Sequence, residues 1–136
     1  MFEFKINQVI LINPDETFNT YNFLSSIYDL NLSFSQVYVF GTNKQLQKQF
    51  KYYLLPYFLN FSVLDKIILD KSQIFLYINN ITESIFQILS KFISKIKIIE
   101  VNCVNLFNFK STFDYFISKS FTLHFKNGLK SIWVQN

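Results

Sequence analysis

The stretch Ile74-Phe75-Leu76-Tyr77-Ile78-Asn79-Asn80-Ile81-Thr82-Glu83-Ser84-Ile85-Phe86-Gln87-Ile88-Leu89-Ser90-Lys91-Phe92-Ile93 decides the fold. Its first five residues form an unbroken apolar run, which predicts a strand buried on both faces. Asn80 with Glu83 three residues on predicts a capped helix start. Ile81, Ile85, Ile88, Leu89, Phe92 and Ile93 then recur at helical spacing. Lys91 and Lys95 fall in the last turns, where positive charge suits the helix dipole. A buried strand that feeds an amphipathic helix is half of a βαβ unit and predicts a largely parallel sheet.

The same alternation extends toward the N-terminus. Val9-Ile10-Leu11-Ile12 reads as another buried strand, stopped at Asn13-Pro14. Asn13 then reads as the cap of a helix that runs to about Asn31, with Phe18, Tyr21, Leu24, Ile27 or Tyr28, and Leu32 recurring at helical spacing. Gln36 to Phe40 reads as a strand broken at Gly41. Thr42 with Gln45 suggests a capping box. The helix expected there carries Leu46, Phe50, Tyr53 and Leu54 on one face, carries Lys44, Lys48 and Lys51 on the other, and ends before Pro56. Ser62 with Asp65 opens a short helix through Leu69.

Toward the C-terminus, Ile96 to Phe109 reads as strand-like, with a bend near Asn102 or Asn105. Ser111 or Thr112 is the expected cap of a short helix with Phe113, Phe116 and Ile117. The segment from Phe121 to Val134 reads as a β-hairpin turning at Asn127-Gly128. The expected fold is therefore α/β: a mixed, mostly parallel sheet flanked by helices, with a C-terminal hairpin over 121–135, all in one domain of 136 residues.

Composition narrows the function classes. The chain contains 18 Phe and 8 Tyr but no Ala, and its 13 basic residues are all Lys. AT-rich codons account for that bias, as in a protist mitochondrial genome, a plastid genome or a parasite nucleus, and of these a mitochondrial location with an organelle-encoded gene is the expectation. The net charge of +4 suits a polyanionic neighbour. Cys103 is the single cysteine, which excludes an intrachain disulfide, and its apolar surroundings predict a buried, inert thiol. The opening Met1-Phe2-Glu3-Phe4-Lys5 shows no signal or transit pattern. No apolar window is long enough for a transmembrane segment. So many aromatic residues with 16% charged ones predict exposed apolar patches, which commonly mark partner contacts.

Catalysis has little to build on. His124 is the one histidine, and Asp29, Asp65, Asp70 and Asp114 have no fixed spacing to it. Gly41 and Gly128 cannot form a phosphate-cradling loop. The expectation is no enzyme activity, no cofactor, no metal and no small-molecule substrate. The best binding signal is Thr42, Asn43, Lys44, Lys48 and Lys51: cations at helical spacing, with polar donors at the positive helix end.

With these elements in place, the chain from Val9 to about Ser120 resembles the N-terminal domain of the ribosomal stalk-base family, large-subunit ribosomal protein ten. Val37-Tyr38-Val39-Phe40-Gly41-Thr42-Asn43-Lys44 stands where the family has a strand and an Asn-Thr step. Leu46-Gln47-Lys48-Gln49-Phe50-Lys51 stands for its basic helix. Ile74 to Ile78, Ile85 to Lys95 and Ile98 to Phe109 stand for the later strand, helix and strand. The departures are Asp70-Lys71 in place of Gly-Pro, Gly41 in place of a basic residue, and a hairpin in place of the long C-terminal helix that carries the stalk dimers. The resemblance implies a structural protein of an organellar large ribosomal subunit that docks on ribosomal RNA beside neighbouring ribosomal proteins. In the alternative, the chain is a non-catalytic accessory subunit of an organellar membrane complex such as a respiratory-chain complex.

Overall fold

The computed structural model describes residues 5–14, 36–41, 51–54, 61–80 and 83–136. The described strands are β1 (Gln8–Ile12), β2 (Val37–Gly41), β3 (Lys51–Leu54), β4 (Ile74–Asn79), β5 (Ile96–Asn102), β6 (Phe121–Asn127) and β7 (Lys130–Gln135). The described helices are α1 (Phe61–Ile67), α2 (Glu83–Phe92) and α3 (Leu106–Ser118), with a 3-10 turn over Ile93–Lys95.

The strands form one seven-stranded sheet in the order β3-β2-β1-β4-β5-β7-β6. β3, β2, β1, β4 and β5 are parallel to their neighbours. β7 is antiparallel to both β5 and β6, so β6 again points the way of the parallel strands. The expected mixed, mostly parallel sheet with a C-terminal hairpin is the fold observed. The strand order reverses at β1, which has β2 on one side and β4 on the other.

The apolar runs are continuous because both sheet faces are covered. One face joins Ile10, Ile12, Leu76, Ile78, Ile99 and Val101 to Leu64 of α1, to Ile85, Ile88, Leu89 and Phe92 along α2, and to Phe116 of α3. The other buries Val9, Leu11, Val37, Val39, Phe75, Tyr77 and Ile98. The α2 stripe packs as its periodicity predicts. Trp133 is fully buried and meets Phe113 and Phe116 at 5.3 and 5.4 Å between ring centres.

Four local expectations are corrected. The helix expected through Leu54 is a strand at its end: Lys51-Tyr52-Tyr53-Leu54 pairs in parallel with Tyr38 to Gly41. Tyr53 stacks on Phe40 at 5.2 Å, and Tyr52 packs on the opposite face, so pairing with β2 overrides helical periodicity. Next, α3 begins at Leu106 rather than near Ser111 or Thr112. Asn105 is its cap, accepting from the Asn108 amide at 2.8 Å, while the Asn108 side chain accepts from the Val104 amide. Third, the hairpin turn falls one residue late: Asn127 pairs with Lys130, leaving Gly128 and Leu129 as the loop. Only Gly128 of that loop has positive φ, at 62°, so the glycine takes the first central position, as type II′ turns require. Finally, Asn13 and Asn80 have φ of 55° and 59°, left-handed conformations rather than the extended backbone of an N-cap. The helix expected between Asn13 and Asn31 lies outside the described residues.

Candidate functional site

Of the predicted contact residues, Thr42, Asn43, Lys44 and Lys48 lie outside the described residues. Lys51 is exposed at the start of β3, with its ammonium 5.4 Å from the centre of the Tyr38 ring. As a strand residue it cannot belong to a helical lysine face.

Lys51 instead belongs to a different set. In a parallel sheet every strand starts at one edge, and the helices that return the chain end there too. Lys51 starts β3, Lys71 precedes β4, and Lys97 lies at the start of β5. Lys66 and Lys91 sit in the last turns of α1 and α2, Lys95 ends the 3-10 turn, and Lys119 is the C-cap of α3. Lys5 precedes β1 and is exposed. Asp65 and Asp70 are the nearby carboxylates in the described sequence. The edge is tied together by Asn7, whose side chain donates to the Lys71 carbonyl at 2.9 Å and accepts from the Gln73 amide at 2.8 Å.

The centre of this amino edge is a polar recess of about 440 Å³ lined by Asp70, Lys71, Ser72, Gln73, Ser94, Lys95 and Lys97. A bulge places Lys97 there: Ile74 pairs with Ile96 and Phe75 with Ile98, leaving Lys97 as the extra residue. Its ammonium donates to the Ser94 carbonyl at 2.7 Å and to the Gln135 side chain at 3.0 Å. Partial burial lowers its pKa, and the neighbouring Lys95 charge lowers it further. Lys95 donates to the Asp70 carbonyl at 2.7 Å and lies 3.8 Å from its carboxylate. An anion seated here would meet cations already held in place, and would relieve the Lys95–Lys97 repulsion.

The other groups offer less chemistry. His124 is the extra residue of a bulge in β6, exposed on the outermost strand. Cys103 is buried, its thiol 3.6 Å from the Thr112 hydroxyl, and burial raises its pKa. Among the described residues there is no cluster of three or more potential metal ligands, and no helix is long and apolar enough to cross a membrane.

In the sequence, Lys91 and Lys95 read as partners of a helix dipole, and Lys66, Lys71, Lys97 and Lys119 carry no local signal. Their common signal is positional: each stands at a strand start or a helix end, so a parallel topology gathers them. Comparisons with known protein families, with curated proteins and with solved structures find no match.

Proposed function

We propose that this chain is a non-catalytic structural constituent of an organellar, mitochondrial large ribosomal subunit, and that its lysine-rich amino edge docks on ribosomal RNA. The observation that carries this reading is the convergence of Lys51, Lys66, Lys71, Lys91, Lys95, Lys97 and Lys119 on one end of the sheet, from every described strand–helix unit. Helix dipoles account for the cations that end helices. They do not account for Lys51, Lys71 and Lys97, which begin strands.

An edge of this kind contacts phosphates as separate point charges and positions a protein without reading sequence. That is the mode expected of a subunit seated on folded RNA. The resemblance to the stalk-base family supplies the choice of the large subunit. That choice rests on the strands at Val9, Val37 and Ile74, the helix from Glu83 and the strand from Ile96, since Lys51 belongs to a strand and Leu106 to Phe109 open a helix. Thr42, Asn43, Lys44 and Lys48 remain candidate contacts from that resemblance.

The second reading, an accessory subunit of a respiratory-chain complex, draws on the apolar surface of α3, where Leu106 and Phe107 are exposed. Sedimentation of a detergent-solubilised organelle lysate, with and without RNase, separates the two. Co-migration with the large ribosomal subunit that RNase abolishes is the expected result. Co-migration with a respiratory complex that RNase leaves intact would overturn the ribosomal reading.

A further inference from the structure

At the opposite, carboxyl end of the sheet lies an open groove of about 720 Å³ between the first turn of α3 and the β6–β7 turn. Leu106, Phe107 and Leu129 give it an apolar lining, with Asn105, Gly128 and Lys126 at its sides. Leu106 is 76% exposed and Phe107 78%, so the fold does not use these side chains for its own core. Single exposed apolar residues are ordinary, but adjacent ones that line a concave surface mark a binding face.

The walls are fixed before anything binds. The Cys103 amide donates to the Leu129 carbonyl at 3.0 Å, which holds the hairpin turn against the end of β5. The Asn105–Asn108 cap holds the other wall. The surroundings are positive. Lys126 lies at the side with its ammonium 4.7 Å from the Phe109 ring centre, and Lys110 sits one helical turn beyond Leu106 and Phe107. None of the residues lining the groove is acidic.

We propose that this groove seats an amphipathic helix of a neighbouring protein whose apolar stripe is flanked by Asp and Glu. An apolar floor takes anchors at i, i+3 or i+4, and i+7, and the lysines select an acidic flank. A second copy of this chain fits worse, because it carries a net charge of +4 and a symmetric contact would bring Lys126 and Lys110 of the two copies together. A single RNA strand would use Phe107 as a stacking surface, but Leu106 and Leu129 beside it present no flat π-face.

The test is panning of a phage-displayed library of helix-forming 16-residue peptides against the folded chain, with the best sequence then measured by fluorescence anisotropy. Selected peptides should combine apolar residues at helical spacing with flanking Asp or Glu. Phe107→Asp, and independently Leu106→Asp, should weaken the best peptide at least tenfold, with circular dichroism unchanged because both side chains are exposed. Lys126→Glu should weaken the acidic peptide and tighten a version carrying Lys in place of Glu. Three results would overturn the proposal: selected peptides without acidic bias, affinity for oligouridine that depends on Phe107, or a dimer of the chain that Phe107→Asp dissolves.

Discussion

Glu100 is buried in β5 on the face that carries Tyr77 and Ile98, and its ion-pair partner, Lys130, is 3.8 Å away. Burial raises its carboxyl pKa, and Lys130 offsets part of that rise. A carboxyl with a raised pKa stays protonated longer in the folded chain than in the unfolded one. Folding therefore loses stability as pH rises from the ordinary value of 4.5 through the raised one. Glu100→Gln should raise the calorimetric melting temperature at pH 7 and change it little at pH 4; equal shifts at both pH values would contradict this account. The Cys103 thiol is buried and kept protonated, so the folded chain should react with a disulfide reagent far more slowly than the urea-unfolded chain. Phe116, fully buried against Trp133 and Phe121, should cost about 3–5 kcal/mol when cut to Ala, read from urea denaturation followed by Trp133 fluorescence.

Individual elements show where local signals suffice. The buried strands around Ile10, Val39 and Leu76 were legible because each is an unbroken apolar run next to a turn or cap signal, and α2 because its apolar stripe keeps a helical period over about three turns. The segment Lys51 to Leu54 was not, because its four residues fit a helical face and a strand equally well, and only the partner strand β2 decides between them. The start of α3 was missed for a related reason. Asn105 is a good cap in sequence, but the apolar residues that follow it, Leu106, Phe107 and Phe109, do not mark a single buried face, since only Thr112 and Phe116 of α3 are fully buried. Asn105→Ala should therefore cost about 1 kcal/mol, measured by urea denaturation. At the hairpin, a Cβ on Gly128 would meet nothing within 4 Å, so the cost of Gly128→Ala is conformational alone, at about 1–2 kcal/mol for a left-handed residue. Gly128→Asn, which tolerates that conformation better, should cost less.

At the scale of the whole molecule, the parallel sheet sorts the chain's charges. Lysines that are far apart in sequence meet at the amino edge, while the apolar groove forms at the carboxyl edge. The candidate contact face was only partly legible for this reason: a stripe such as Lys44-Lys48-Lys51 can be seen in one window, whereas Lys71 joins Lys95 and Lys97 only through strand order, and Lys97 reaches the recess only through a bulge. As proposed, this amino edge binds RNA phosphates. That binding is read from the salt dependence of affinity for a folded ribosomal RNA fragment, compared between the wild-type chain and the Lys71→Gln, Lys95→Gln, Lys97→Gln triple variant. A Lys126→Gln, Lys130→Gln double variant at the other edge serves as the control. The slope of log affinity against log salt should become shallower by about 2–3 in the triple variant, at roughly 0.7–0.9 for each phosphate that a lysine no longer neutralises, and stay unchanged in the double variant. An unchanged slope in the triple variant, or an equal flattening in the double variant, would contradict it.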